Sequence, residues 1–223
     1  MSIFQTIFYN PILAVLAFIY EKLAFEDLGV AIVILTVLTR LVLFPLFHKS
    51  LKHQAIMQKI QPEIKRIQHD HKENKEKQAQ ALLELYREHK VNPFLSIVLF
   101  AVQLPVLIAL YQVFLKGLSG SVFTSHAFLG LIDLKSRSIL MVGLAALAQF
   151  CQGWLGLKAG QADKMSRYLN YLMPAVTVMI LNPLPSAISL YWFVTTLFSI
   201  VQQFFINKTL KSGNIDRQNK KPN

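Results

Sequence analysis

Residues 28–47 have the sequence LGVAIVILTVLTRLVLFPLF, in which Arg40 is the one charged side chain. A helix of about 20 apolar residues is long enough to cross the hydrocarbon core of a membrane. Similar apolar blocks occupy residues 92–115, 139–157 and 168–206. The last block contains the turn sequence NPLPS at 182–186, so it reads as two helices. The sequence therefore predicts an all-α integral membrane protein with five transmembrane helices.

The composition argues against an ordinary soluble domain. The 223 residues are 53% hydrophobic, and their apolar side chains come in long blocks instead of alternating with polar ones. The net charge is +11, which by itself would fit a nucleic-acid partner. The positions of the charges decide whether the net charge reflects nucleic-acid binding or the topology of a membrane protein.

Lys and Arg are distributed unevenly between the loops. Residues 48–91 contain ten, residues 158–167 contain three and the tail from 208 contains five, whereas residues 1–27 contain one and residues 116–137 contain three. Cytoplasmic loops of membrane proteins carry the excess of Lys and Arg. The pattern therefore places the long loop, the 158–167 loop and the C-terminus in the cytoplasm, and the charge records topology more than nucleic-acid recognition.

The predicted segments follow one another simply. Residues 1–27 are expected to form an interfacial helix on the outer side, because polar residues interrupt its apolar face; a sixth transmembrane helix is the alternative. The absence of a basic region and a cleavage site predicts that no signal peptide is removed. The remaining segments are span 1 at 28–48, a cytoplasmic helical hairpin at 49–91, span 2 at 92–116, an outer loop at 117–138, span 3 at 139–157, span 4 at 168–181, span 5 at 186–207 and a disordered basic tail at 208–223.

The hairpin prediction rests on helical periodicity in a charged, glycine-poor region. Apolar or amphipathic side chains recur at helical spacing at Met57, Ile60, Ile64 and Ile67, and again at Gln78, Leu82, Leu85 and Tyr86. Pro62 suits the first turn of a new helix. A solvated two-helix loop without a binding role remains the alternative.

Arg40 is the most informative residue of the sequence. It precedes Lys49 by nine residues, which places it about 13 Å from the cytoplasmic end of the helix. No Asp or Glu occurs in any of the five predicted spans, so the chain offers no carboxylate there to neutralise it. A charge at this depth costs at least a few kcal/mol unless it faces water or a partner. Snorkelling of the side chain toward the cytoplasm is the alternative.

Polar residues of neighbouring spans supply walls for a hydrophilic groove around this charge. Thr36, Thr39 and Arg40 share about 100° of one helix face, and the polar residues of span 5 share about 80°. The predicted groove residues are Arg40, Gln103, Trp192, Thr36, Thr39, Gln149, Gln152, Ser189, Thr196, Ser199 and Gln203. Two alternatives stay open: helix packing for the Ser/Thr stripe, and for Gln103 a bond to the Ala101 carbonyl that Pro105 leaves free.

Nothing in the sequence predicts an enzyme, a metal site or a cofactor. Cys151 is the single cysteine and is predicted to be a small buried residue of span 3. No histidine lies in the interior of a span, and residues 117–121, GLSGS, depart from the G-x-S-x-G pattern of hydrolases. His69 and His71 lack the further ligands that a metal needs. The phosphate-binding sequence G-x-x-x-x-G-K-[ST] does not occur.

A set of short sequences occurs along the chain in a recognisable order. They are LTVLTRLVLFPL at 35–46, MQKIQPE at 57–63, LY at 85–86, VNP at 91–93, QLP at 103–105, PSAISLYW at 185–192 and QQ at 202–203. In order and spacing they resemble the YidC/Oxa/Alb family of membrane protein insertases over residues 10–207. The likeness is to bacterial members in a short form, without the large extracytoplasmic domain that Gram-negative members carry ahead of the position of Leu28.

The resemblance implies five spans around a groove that opens to the cytoplasm and to lipid and is closed outside. Arg40, Gln103 and Trp192 would be its groove residues, and the hairpin would capture substrates. It implies an insertase that moves short polar segments of nascent membrane proteins across the bilayer, releases their apolar helices into lipid and assists their folding. Its partners would be nascent membrane proteins, lipid, the ribosome and the Sec translocon.

The resemblance also implies a location and leaves one competing function. The protein would be a multi-pass protein of the bacterial inner membrane with a cytoplasmic C-terminus and no direct nucleic-acid recognition. The intramembrane charge alone would also fit a small anion transporter or channel that uses Arg40.

Overall fold

The computed structural model describes residues 3–92, 94–117, 123–158 and 164–218. A π-helical segment, Gln5–Tyr9, leads into α1 (Asn10–Lys22), α2 (Leu28–Val42), α3 (Phe44–Lys59), α4 (Gln61–Asp70), α5 (Lys75–Glu88), α6 (Leu95–Gly117), α7 (Ile139–Lys158), α8 (Lys164–Leu181) and α9 (Ser186–Gln218). Strands β1 (Ala127–Phe128) and β2 (Ile132–Asp133) form a small antiparallel ribbon between α6 and α7. Parts of the predicted outer loop, the 158–167 loop and the basic tail lie outside the described residues.

The mostly helical architecture agrees with the predicted fold class, and α2, α6, α7, α8 and α9 occupy the five predicted spans. By length and hydropathy, the segment Ser186–Ile206 is the one described helix that could cross a membrane alone. The pair Leu28–Val42 and Phe44–Lys59, bent by 70°, would add a second if it forms one span. The other apolar helices are shorter: Ala101–Leu115, Ile139–Leu155 and Asn170–Leu181.

Helix α9 is the centre of the bundle. It packs against α2, α3, α6, α7 and α8, while α1 covers α2 and α6. The apolar core is continuous between these helices and includes the fully buried side chains Leu16, Leu28, Ile32, Val113, Phe114 and Leu190. The N-terminal segment is therefore tied to the bundle through Leu16 and its neighbours.

A bend separates α2 from α3, where the sequence predicts a span that continues to Phe47. Helix α2 ends at Val42, Leu43 leaves helical geometry, and Pro45 lies in the first turn of α3. Proline is accepted there because the first N–H groups of a helix have no acceptor within the helix. The bend turns the chain by 70° and brings Phe47 back toward the side chain of Arg40.

The described part of the predicted outer loop, residues 123–138, forms a cap over one end of the bundle. Asp27 accepts hydrogen bonds from the N–H of Val30, at 2.9 Å, and from that of Leu129, at 2.6 Å. It therefore caps α2 and also holds the ribbon against the start of that helix. The Ser186 hydroxyl donates to the Asp133 carbonyl at 2.9 Å. Leu134 is fully buried. We call residues 123–138 the outer cap.

Glycine at position 29 allows the outer cap to lie directly on α2. The ring of Phe128 packs over Gly29 so closely that an added Cβ would lie 2.1 Å from Phe128 Cδ2. Side-chain atoms cannot approach to that distance, so any larger residue at position 29 must displace the ribbon.

Helices α4 and α5 form the predicted hairpin around an apolar cluster of their own. Ile60, Ile64, Leu85 and Val91 are its buried members. Asn74 caps α5 by accepting from the N–H of Lys77 at 2.9 Å. The hairpin is therefore a packed helical pair with its own core.

The junction of the hairpin with α6 contains a histidine hydrogen bond. His53 Nδ1 accepts from the N–H of Asn92 at 3.0 Å, and the Asn92 side chain in turn accepts from the N–H of Phe94. Burial, followed by the charges of Lys49 and Lys52, holds the pKa of His53 below its ordinary value. The neutral ring, which can accept this bond, is therefore the favoured form.

Two expectations from the sequence are wrong. Cys151 is exposed on the surface of the bundle instead of buried. Helix α9 continues to Gln218, whereas a disordered tail is predicted from residue 208. Apolar residues of a membrane helix face either protein or lipid, so hydrophobicity alone does not place Cys151 in the core.

Candidate functional site

Arg40 is buried and has an aromatic ring, not a carboxylate, as its partner. Its side chain lies on α2 with 6% of the residue exposed. Its guanidinium carbon lies 3.9 Å from the centroid of the Phe47 ring, at cation–π distance. Within the described residues its Nη1 has no hydrogen-bond partner and it forms no ion pair. A full positive charge therefore lies inside the bundle with spare donors.

A hydrogen bond joins α6 to α9 beside this charge. Gln103 Nε2 donates to the hydroxyl of Tyr191, which is 4% exposed and lies within electrostatic range of Arg40. Among the described residues the Gln103 amide bonds across to α9 and shows no bond to the Ala101 carbonyl, which was the local alternative. Tyr191 is not among the predicted groove residues, although a buried tyrosine hydroxyl normally requires a partner.

Four of the five hydroxyl groups among the predicted groove residues donate to their own helices, whereas the buried Ser189 Oγ has no partner among the described residues. The bonds run from Thr36 to Ile32 O at 2.6 Å, from Thr39 to Leu35 O at 2.8 Å, from Thr196 to Trp192 O at 2.8 Å and from Ser199 to Thr195 O at 3.1 Å. A hydroxyl has one donor and two acceptor lone pairs, so its remaining capacity is as an acceptor. These residues therefore offer acceptors, while Arg40 offers donors.

Most of the predicted groove residues of α9 lie inside the bundle. Ser189, Thr196, Ser199 and Gln203 are buried, and Trp192 is half-buried against the apolar core. Thr36 is buried as well, and Thr39 is half-buried beside Arg40 on α2. Because α2 packs on α9, the structure brings these two polar faces into one helix pair.

The two predicted groove residues of α7 lie apart from this pair. Gln149 and Gln152 are half-buried on a helix that packs against α8 and α9. Beside them, an added Cβ at Gly153 would lie 1.6 Å from Asn170 Oδ1 of α8, so this part of α7 faces α8. No hydrogen bond among the described residues links either glutamine to Arg40.

Two more residues of the site were missed from the sequence. Phe47 has no polar signal, and only the bend after α2 places its ring against Arg40. Gln202 is 4% exposed, and neither of its amide atoms has a partner among the described residues. The paired glutamines at 202–203 were the available signal, because an amide in an apolar helix requires hydrogen-bond partners.

The described residues contain no group of three or more His, Cys, Asp or Glu side chains that could hold a metal ion. What the site offers is one cation, several hydroxyl acceptors and the amides of Gln103, Gln202 and Gln203, held on apolar helices. This arrangement defines a helical membrane protein with a buried, unneutralised cation.

The chain belongs to the family described as 60Kd inner membrane protein, whose profile matches residues 18–213. The family and its bacterial relatives place the chain in a bacterial membrane. A relative from Geobacter metallireducens, named membrane protein insertase YidC, is 33% identical over 212 residues. Another of the same name, from Pelobacter propionicus, is 35% identical over 218 residues.

The chain corresponds to only part of these relatives. It matches over 92% of its own length but 37% of the Geobacter protein, and over 91% of its own length but 39% of the Pelobacter protein. A solved structure titled active YidC insertase, with the first transmembrane domain resolved, is similar with a TM-score of 0.68 and 26% identity. That match covers 90% of this chain and 46% of the solved one.

Proposed function

We propose that this chain is a membrane protein insertase, which moves short polar segments of nascent membrane proteins across the bilayer and releases their apolar helices into lipid. The observation that carries the proposal is the unneutralised Arg40, 6% exposed and with a spare Nη1. The names of the relatives support the same function and give no support to an anion transporter.

The physical task is to carry charge and unpaired backbone through hydrocarbon. Each buried charge or unpaired peptide group costs several kcal/mol in a lipid environment. A polar face on α2 and α9 shortens the apolar part of that path. Arg40 adds a counter-charge for a substrate carboxylate, worth about 4 kcal/mol at 4 Å if the effective dielectric constant is about 20.

The missing carboxylate is what makes Arg40 suited to this task. An arginine paired with Asp or Glu would already be neutralised, and a substrate would have to break that pair. The Phe47 ring attracts the guanidinium without removing its charge or occupying all of its donors. The cation is thus held in place and is still available to an incoming carboxylate.

Release into lipid needs no nucleotide in this scheme. The apolar helix of the substrate gains about 25 cal/mol for each Å² of apolar area that leaves water. This partitioning provides the driving force, and the groove lowers the barrier for the polar segment that must precede it. The hairpin of α4 and α5 would capture the substrate on the cytoplasmic side.

The test is substitution of Arg40 in protein reconstituted into vesicles. For a single-span substrate with one Asp in its translocated tail, Arg40→Ala should lower the insertion yield about tenfold or more, a loss of at least about 1.4 kcal/mol. Arg40→Lys keeps the charge and should retain most of the yield. Protection of the tail from added protease measures insertion.

A substrate with a neutral tail provides the control for this experiment. Its insertion should depend much less on Arg40, because no carboxylate is present to bind. Equal insertion of the acidic tail by the wild-type and Arg40→Ala proteins would exclude the role of the charge.

The proposal extends to partners and topology. The excess of Lys and Arg supports a cytoplasmic position for the hairpin and the C-terminus. The ribosome and the Sec translocon are proposed partners, since an insertase must meet nascent chains as these chains emerge from the ribosome or the translocon. Tagging the C-terminus and testing its accessibility in sealed inverted membranes checks the orientation.

A further inference from the structure

Gln202 is a buried amide without a partner. It is 4% exposed, and both its Oε1 and its Nε2 are buried with no hydrogen-bond partner among the described residues. Buried polar groups in folded proteins are nearly always hydrogen-bonded, because an unpaired one is destabilising. An amide that lacks partners on both atoms therefore requires an explanation.

The position of Gln202 is fixed by its neighbours on α9. Ile206, one helical turn later on the same face, is buried against Leu51 and Ala55 of α3. Gln202 therefore lies on the side of α9 that α3 approaches. Ser50, next to Leu51, is fully buried and accepts a hydrogen bond from Gln54, so the α3 side of this region is also polar.

Gln202 shares a helical face with Tyr191, which marks the Arg40 site. The eleven residues from 191 to 202, at 100° each, return to within about 20° of the same direction. At about 1.5 Å per residue the two positions are separated by about 16 Å along α9. Tyr191 is bound by Gln103 and lies in electrostatic range of Arg40. One face of α9 therefore carries Tyr191, beside the cation site, and about 16 Å away the unpaired amide.

The chemistry of a primary amide matches that of a peptide group. Each offers an N–H donor and a C=O acceptor, so the two can bond to each other through both atoms. A peptide chain inside a membrane has no water to bind its backbone and needs such partners. The site is uncharged, so it would not select charged side chains, whereas the main chain offers it a donor and an acceptor at nearly every residue.

We infer that Gln202 binds a main-chain peptide group of the polar segment that the proposed insertase moves. Gln202 Oε1 would accept from the peptide N–H, and Nε2 would donate to the peptide carbonyl. An extended chain rises about 3.3 Å per residue, so about five residues separate this peptide group from a carboxylate bound at Arg40. The inference rests on the proposed function and adds to it a second contact with a defined spacing.

The experiment uses synthetic single-span peptides whose polar tail carries one Asp, with an ester replacing one peptide bond at successive positions. An ester removes the N–H donor at a single place. With wild-type protein in phosphatidylethanolamine–phosphatidylglycerol vesicles, an ester about five residues from the Asp should lower insertion about fivefold or more, for one lost hydrogen bond to a buried group. Esters next to the Asp should have little effect.

Gln202→Met keeps the length of the side chain and removes both hydrogen-bonding atoms. It should lower insertion of the all-amide peptide by a similar factor and remove the dependence on ester position. Gln112→Met, the same change on α6, is the matched control and should retain that dependence. Arg40→Ala should spread the ester dependence over several positions, because the carboxylate bound at Arg40 sets which peptide group lies at Gln202.

The outcomes separate this inference from the function on which it rests. Insertion that depends on Arg40 but not on ester position in wild-type protein would overturn the inference and leave the function standing. A Gln202→Met protein with the full ester dependence would overturn it as well. Wild-type vesicles that insert no more peptide than protein-free vesicles would overturn both. The ester series in wild-type protein decides the question even if Gln202→Met fails to fold.

Discussion

The contact between Arg40 and Phe47 explains how a charge can be held in an apolar bundle without being neutralised. A desolvated cation–π contact contributes about 2 kcal/mol. The ring lies in the first turns of α3 and the guanidinium on α2, so the bend at Leu43 creates the contact. Phe47 is itself 7% exposed, and its ring therefore has little freedom to move away.

Phe47→Leu should impair insertion of acidic tails while affecting neutral tails much less. Loss of the ring frees the guanidinium from its position, and a loss of about 1–2 kcal/mol corresponds to about five- to thirtyfold in yield. Phe47→Trp retains an aromatic face and should restore most of the loss. The protease-protection assay on the two kinds of tail measures both effects.

Phe44→Leu is the matched control on the same helix. Phe44 is 41% exposed and stacks on His48, with ring centroids 5.6 Å apart, so it has no role in holding Arg40. If Phe47→Leu inserted acidic tails as well as Phe44→Leu does, the ring contact would have no part in positioning the charge.

At the level of single residues, the sequence reveals the cation but not its partner. The depth of Arg40 and the lack of carboxylates in the spans are properties of the chain order, so they can be read directly. Its contact with Phe47 depends on a bend, and the Gln103–Tyr191 bond depends on how α6 meets α9. Helical spacing predicts which face a residue shares, but not which neighbour covers that face.

At the level of elements, the outer cap lies on α2 where the Phe128 ring packs over Gly29. Gly29→Ala should destabilise the protein by about 1–3 kcal/mol, because the new Cβ meets the near end of the Phe128 side chain and the ribbon must shift. Thermal unfolding in detergent should show a lower midpoint. Trypsin should also cleave at Lys135 and Arg137 faster than in the wild-type protein.

Gly143→Ala is the matched control, since an added Cβ at this position meets nothing within 4 Å. Alanine is favoured over glycine inside a helix by about 1 kcal/mol, so this variant should be as stable as the wild type or more so. Equal unfolding midpoints for the two variants would show that the outer cap does not rest on Gly29.

Element types were predictable because their patterns are local, whereas several element ends were not. Apolar blocks, the periodicity of the hairpin and the turn at 182–186 all show in short windows of sequence. Pro45 signals a break after α2 but does not fix its end at Val42, and the length of α9 depends on packing and helix propagation, which no single residue shows. The ribbon of the outer cap carries little pattern of its own, since its strands have two residues each.

At the scale of the whole molecule, two apolar clusters divide the chain into a bundle and a hairpin. The bundle core joins α1, α2, α6, α7 and α9, whereas the hairpin cluster is formed by Ile60, Ile64, Leu85, Val91 and their neighbours. Helix α3 lies between them, because Leu51 and Ala55 pack against Ile206 of α9. The division follows from which residues touch, so the boundary at the end of α3 could not be placed from composition alone.

Replacing residues 61–90 with a short Gly–Ser linker should remove the hairpin and leave the bundle folded. Ile60 and Val91 belong to one cluster, so a short linker can join them. The unfolding midpoint of the bundle should stay close to the wild-type value, because α3 keeps its contacts with α9. Insertion should fall for every substrate, acidic or neutral, if the hairpin captures chains before Arg40 acts.

A larger deletion that included Ala55 would confuse this result, since it would also disturb the bundle. Full insertion by the linker variant would reduce the hairpin to a passive loop.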